Sequence, residues 1–349
     1  MKKKKIITAL SVFFLIILIL MPLVTAVVYE CIFAFSLNGP PLVTLDPSHY
    51  GLLVEQSDFK TDDDVTLAGY KYSKAGQDAK GVVIISHGMG CNGHGAFLPY
   101  IDLFTSNGYL VFTYDATGNA QSPGKTVEGF PQGTIDLDNA IKHVKADAEY
   151  SSLPIFLFGH SWGAYACGAV LNLHPDIKGA VLVSAFDSSR DMLRYQSSRF
   201  IGFMASVMIG GVSLYESVKF GDTYPKLTVT DGLKESDAKV LIVHSEDDDT
   251  VPMSIGYSRF YDEFSGNERF NFILYENRGH SELLYSEESV ALLEEIMLEC
   301  EIYLQENSLD ASNENMAKFL NSHEKIYEAY EIDTELASSI IATFDSALN

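Results

Sequence analysis

The 349-residue chain carries 47 Asp and Glu against 24 Lys and Arg, a net charge of −23, and this balance disfavours nucleic acid or anionic lipid as a partner of the folded part. The length exceeds one average domain yet suits a single large α/β domain of about 200 to 250 residues. Cys31, Cys91, Cys167 and Cys300 show no paired spacing, which excludes a disulfide framework and leaves free thiols.

The chain opens with Lys2 to Lys5, followed by an uncharged run from Ile6 to Val28. Crossing a bilayer takes about 20 apolar residues. The run therefore predicts a single-pass membrane helix within residues 1–36, with the lysines cytoplasmic and the folded domain extracytoplasmic. A cleaved signal peptide ending at Val24-Thr25-Ala26, and hence secretion, is the alternative. Asn38-Gly39-Pro40-Pro41 then reads as a linker.

Leu52 to Phe59 and Val65 to Tyr72 predict an antiparallel pair. Buried strands follow at Gly81 to Ser86 and Tyr109 to Tyr114, with an amphipathic stretch at Leu98 to Ser106 between them. Ile135 to Ala148 has helical periodicity. The alternation continues through strand Leu153 to Phe158, a small-residue helix from Ala164, and strand Gly179 to Ala185. It resumes with strand Lys239 to His244, helix Ser254 to Phe264, strand Phe270 to Tyr275 and helix Glu287 to Gln305. Such alternation implies a mostly parallel sheet with helices on both faces. The expected folded domain spans residues 46–306. Residues 187–236 interrupt the pattern as a small helical lid insertion, with apolar helix at Phe200 to Met208 and glycine turns at Gly210-Gly211. Residues 307–349 form an acidic, helix-prone extension.

The chemistry centres on Gly159-His160-Ser161-Trp162-Gly163. Gly-x-Ser-x-Gly between an apolar strand and a helix is the signature of a nucleophile elbow, a sharp turn that exposes the serine hydroxyl. A serine becomes nucleophilic when a base takes its proton, and the base needs an orienting acid. Asp248 follows the strand at Val240 to Val243, and His280 follows the strand at Phe272 to Tyr275. Both stand at the C-terminal ends of strands, where open α/β sheets place their sites. Asp247, Asp249 and Asp187 are rival acids. His87 and His160 read as supports of their turns, and His94, in the glycine-rich loop beside Met89, either touches substrate or is exposed, the second reading being favoured. Tyr195, Phe200, Phe203 and Met204 either line an acyl pocket or form the insertion's own core. The acidic run Glu246 to Asp249 lacks the alternating pattern of a calcium loop, so no metal is expected, and no cofactor.

These motifs resemble the α/β-hydrolase superfamily, in particular the bacterial branch of monoglyceride lipases, lysophospholipases and serine aminopeptidase-like enzymes. The resemblance covers about residues 51–305. Its second motif, His-Gly-x-Gly, stands at His87-Gly88-Met89-Gly90, and its third, Asp-x-x-Gly-x-x-x-Ser, at Asp115, Gly118 and Ser122. Ser245 departs from the family's glycine ahead of the acid. Val251-Pro252, at the family's spacing, favours Asp248 as the acid. The resemblance implies a Ser161–Asp248–His280 triad, with the backbone N–H groups of Met89 and Trp162 as the oxyanion hole. Together with the N-terminal apolar run and the apolar insertion, it implies a membrane-anchored serine hydrolase cleaving carboxylic esters, small or lipid-derived, through an acyl-enzyme. An amidase or peptidase of the same fold is an alternative, and a catalytically silent, membrane-tethered binding protein is another.

Overall fold

The computed structural model describes residues 22–34, 41–76, 78–91 and 93–348. The chain begins with helix α1 (22–33). Strands β1 (Leu53–Gln56), β2 (Phe59–Lys60), β3 (Thr66–Leu67), β4 (Gly69–Ser73) and β5 (Gly81–Ser86) follow. Then come α2 (Leu98–Ser106), β6 (Tyr109–Tyr114), α3 (Phe130–Ala146), β7 (Ile155–His160), α4 (Trp162–Val170) and β8 (Gly179–Val183). An insertion of α5 (Ser189–Ile201), α6 (Met204–Phe220) and α7 (Val229–Glu235) precedes β9 (Lys239–Ser245), α8 (Tyr257–Phe264) and β10 (Phe270–Tyr275). The chain ends with α9 (Glu287–Glu306), α10 (Asn313–Leu320) and α11 (Thr334–Ser346).

One eight-stranded sheet organises the fold, in the order β1-β4-β6-β5-β7-β8-β9-β10. From β6 to β10 every pairing is parallel, and β4 and β1 extend the sheet antiparallel. Strands covered on both faces are apolar along their whole length, and β5, β6, β7 and β8 are buried throughout. Successive side chains serve opposite faces. Val82 and Ile84 pack with Leu137 of α3 and Ala166 of α4, while Val83 and Ile85 pack with Phe104 of α2 and Phe344 of α11.

The expected strands Gly81–Ser86, Tyr109–Tyr114 and Phe270–Tyr275 coincide with β5, β6 and β10. The helix expected from Ile135 starts earlier, at Phe130, with Pro131 in its first turn, where a proline costs no hydrogen bond. Gly210-Gly211 is not a turn but lies inside α6. The break falls instead at Gly202, whose φ is +54°. Gly211 serves a close approach, since a Cβ there would stand 2.8 Å from Thr25 Oγ1 of α1. Phe200 and Phe203 are 87% and 79% exposed, so they do not form a core of the insertion. The acidic extension supplies α11, whose Leu336, Ile340 and Phe344 are buried against the sheet.

The expected single-pass membrane localisation is overturned. Among the described residues no helix is long and apolar enough to cross a membrane. Residues 1–21 and 35–36 of the expected anchor segment lie outside the described residues, as do residues 38–40 of the expected linker, and residues 22–33 form α1. That helix is seated on protein: Thr25, Tyr29 and Phe33 are buried, and the Phe33 ring meets Phe130 of α3 edge-on at 5.2 Å. Its polar groups also find protein partners. The Tyr29 hydroxyl donates to Glu216 of α6 at 2.9 Å, and Glu30 pairs with Lys219 at 2.7 Å. The exit considered for signal cleavage, Val24-Thr25-Ala26, lies within this helix.

Candidate active site

The site grows from the turn between β7 and α4. Ser161 adopts φ 56° and ψ −117°, a region a non-glycine residue occupies only when its surroundings force it. The forcing contacts are visible on both sides. A Cβ at Gly159 would stand 2.4 Å from the Gly163 carbonyl oxygen, and one at Gly163 would stand 2.0 Å from that of Ser86. Only glycine fits at either position. The Ser161 N–H donates to the Val183 carbonyl at 2.8 Å, which fastens the turn to β8.

Loops at the ends of β9 and β10 bring the other two groups to the serine. His280 Nε2 lies 2.9 Å from Ser161 Oγ, and its Nδ1 lies 2.8 Å from Asp248 Oδ2. A carboxylate only accepts, so Nδ1 carries the hydrogen and Nε2 presents its lone pair to the serine hydroxyl. Asp248 Oδ1 accepts the backbone N–H groups of Thr250 and Val251 at 3.0 and 2.8 Å. Burial works to raise the Asp248 pKa. The hydrogen bond and charge of His280 and the Val251 N–H outweigh it, and the carboxyl sits below the ordinary aspartate value.

The rival acids have other partners. Asp187 accepts the Thr230 N–H at 2.8 Å and faces Arg259 at 3.3 Å, which ties the insertion to α8. Asp249 accepts from the Thr250 hydroxyl. Asp247 accepts the N–H of Gly279 at 2.9 Å and the hydroxyl of Ser245 at 2.5 Å. Ser245, where the resemblance led us to expect glycine, thus helps clamp the loop that bears His280.

The turn carrying Met89 lies against the elbow, because Gly163 packs on the carbonyls of Ser86 and His87. Among the described residues the Met89 N–H has no hydrogen-bond partner, and the Trp162 N–H opens the first turn of α4, where the helix itself offers none. The Trp162 indole donates to the Phe130 carbonyl at 2.8 Å. His87 accepts the Ala116 N–H at Nε2 and donates from Nδ1 to the Gly88 carbonyl, so it supports its turn. In the third motif, the Ser122 hydroxyl donates to the Asp115 carbonyl and accepts the Ala68 N–H. His94 is not the exposed residue expected: its Nδ1 lies 2.9 Å from Asp115 and its ring stacks on Tyr70 at 3.6 Å. Sequence reasoning missed His244, whose Nε2 donates to the Val251 carbonyl at 2.9 Å and stands 3.6 Å from Asp248. Its only signal was a histidine closing an apolar strand. Among the described residues no group of three or more His, Cys, Asp or Glu could hold a metal ion. The four cysteines are free.

Stretches of the chain, and its fold, have counterparts in known proteins. Residues 77–220 match the serine aminopeptidase S33 family. The caffeoylshikimate esterase of Arabidopsis thaliana is 36% identical over 88 residues, 25% of this chain and 26% of that protein. The monoglyceride lipase of Rattus norvegicus is 28% identical over 143 residues, 38% of this chain and 46% of that enzyme. The chain therefore spans less than half the length of these two relatives. A solved Pyrococcus furiosus esterase superposes with a TM-score of 0.53 at 17% identity, covering 81% of this chain and 96% of the esterase, which is a likeness of fold. With the strand order and the strand-turn-helix at Ser161, these matches make the chain a member of the α/β-hydrolase superfamily.

Proposed function

We propose that the chain is a serine hydrolase that cleaves carboxylic esters, lipid-derived ones included, through an acyl-enzyme. The observation that carries this reading is the hydrogen-bonded run from Ser161 Oγ through His280 to Asp248. His280 Nε2 takes the hydroxyl proton as Oγ attacks the ester carbonyl carbon. Asp248 holds the imidazole in the required tautomer and stabilises its charged form. The oxyanion forms between the N–H groups of Met89 and Trp162, and each such donor contributes about 3 kcal/mol in the transition state. Collapse breaks the ester bond, and the alcohol leaves with the proton from His280. Water attacks the acyl-enzyme by the same route and frees the acid and Ser161. The insertion α5–α7 serves as a lid. Support for that role comes from Gln196 Nε2, which donates to the Thr250 carbonyl beside Asp248 at 3.0 Å.

Ester specificity draws support from the two relatives, an esterase and a monoglyceride lipase. The family name, serine aminopeptidase, favours the second reading, amide or peptide hydrolysis by the same groups. Matched nitrophenyl ester and anilide substrates separate the two, with the ester expected to turn over faster. Ser161→Ala is expected to abolish both ester turnover and labelling by a fluorophosphonate probe. Labelling that survives this change overturns the assignment, and folded wild-type protein that takes no label supports a binding role instead.

A further inference from the structure

We propose that His160 is a positioning residue that locks the loop of the base and the turn of the oxyanion donors into one register; this rests on the roles just given to Ser161, His280 and Met89. The residue immediately precedes Ser161 at the end of β7, and its side chain is buried, with 4% of the residue exposed. Its Nε2 lies 2.9 Å from the backbone carbonyl oxygen of His280, and the two rings are 4.9 Å apart. A carbonyl oxygen only accepts, so Nε2 carries the hydrogen and donates.

On its other side the ring faces Gly88, the residue before Met89, closely enough that a side chain there would press on it. A Cβ added at Gly88 would stand 3.1 Å from His160 Nδ1. That nitrogen is buried and has no hydrogen-bond partner among the described residues. Leaving an acceptor in this state costs about 1 to 3 kcal/mol. An aliphatic side chain of similar bulk would fill the space without that cost, so packing alone does not account for an imidazole here. The donor at Nε2 does.

The bond matters because of where it acts. Gly279, with φ +55°, leads the chain into His280, whose carbonyl is held from outside its own loop by the His160 side chain. Ser184 Oγ also approaches this oxygen, but only at 3.4 Å. Without the His160 donor the His280 backbone can shift, and a displacement of about 1 Å at a reacting group lowers a rate about 10²-fold. Burial, with His280 beside it, pulls the His160 pKa down to about 3. The ring is therefore neutral near pH 7 and donates through one nitrogen.

The test compares full-length wild type with His160→Gln, which keeps an amide donor near the position of Nε2, and His160→Leu, which keeps bulk without a donor. The readouts are kcat and KM on a nitrophenyl ester, the rate of fluorophosphonate labelling, and the thermal midpoint. For His160→Leu we expect kcat and the labelling rate to fall about 30- to 100-fold with little change in KM. His160→Gln is expected to recover most of that loss. Equal kcat in all three proteins overturns the inference while leaving the hydrolase reading intact. So does an equal loss in both variants that follows the drop in thermal midpoint, because that is the mark of packing. Should His160→Leu fail to fold, His160→Asn, whose amide is too short to reach the carbonyl, takes its place in the same comparison. Wild type that is neither labelled nor active overturns the hydrolase reading, and this one with it.

Discussion

Asp247 Oδ1 accepts the backbone N–H of Gly279 at 2.9 Å, so the acid next in sequence to Asp248 grips the backbone of the His280 loop instead of its imidazole. Adjacent carboxylates thereby divide two tasks. Asp248 is buried and faces the ring, whereas Asp247 is exposed and holds the chain one residue earlier. Replacing them should separate the tasks. Asp248→Asn is expected to lower kcat on a nitrophenyl ester by about 10⁴-fold, because the amide favours the wrong imidazole tautomer. Asp247→Ala removes the bonds to the Gly279 and Arg278 N–H groups, on the order of 1 kcal/mol each, and should lower kcat about 30-fold at most. Equal effects of the two changes would contradict the division.

How much of this was legible in the sequence depends on the distance over which each signal acts. The elbow was legible because its requirements are local: an apolar strand, two glycines and a serine within a few residues. The strands β5 and β6 were legible because burial on both faces demands unbroken apolar runs. Choosing among Asp247, Asp248 and Asp249 needs the register between two loops, which local pattern does not carry. The bond from His160 to the His280 carbonyl spans 120 positions and leaves no trace in spacing. Helix α1 misled for a different reason. A run of apolar residues reads alike whether it faces lipid or protein, and residues far along the chain, Phe130, Gly211, Glu216 and Lys219 among them, supply the protein surface that residues 25–33 cover.

The glycines of the elbow give a prediction about shape alone. Gly163→Ala would put a methyl group 2.0 Å from the Ser86 carbonyl oxygen, and both partners are backbone, so neither can rotate away. The turn carrying Met89 must then move off the elbow. Fluorophosphonate labelling is expected to fall by at least about 10²-fold, the cost of misplacing the reacting groups by about 1 Å. Wild-type labelling in this variant would show that the contact between the two turns is not needed.

Neighbouring glycines in α6 should respond in opposite directions. A Cβ at Gly210 meets nothing within 4 Å. Gly210→Ala should therefore stabilise the protein by about 0.5 to 1 kcal/mol through helix propensity. A Cβ at Gly211 would stand 2.8 Å from Thr25 Oγ1 and 3.3 Å from Thr25 Cβ, so the same substitution there pushes α1 from its seat. It should destabilise by about 1 to 3 kcal/mol, as overpacking does. Urea melts of both variants check the pair. Equal gains from the two alanines would mean that α1 does not rest on α6.

Glu216 makes the seat of α1 sensitive to pH. Its carboxylate is buried between α1 and α5, where it accepts the hydroxyls of Tyr29 at 2.9 Å and Ser189 at 2.6 Å. Burial, only partly offset by those two hydrogen bonds, pushes its pKa up from 4.5 to about 7. The folded state thus favours the protonated acid more than the unfolded chain does. The stability this group contributes is fully present below pH 4.5 and is lost as the pH rises through about 7. Moving a proton affinity tenfold is worth about 1.4 kcal/mol, so the change here is on the order of 3 kcal/mol. Glu216→Gln has no proton to lose and should remove this part of the pH dependence. The variant is then expected to be more stable than wild type at pH 8 and about equal to it at pH 5. Parallel urea melts across that range measure the difference, and two curves that keep a constant separation would show that the carboxyl titrates alike in the folded and unfolded chain.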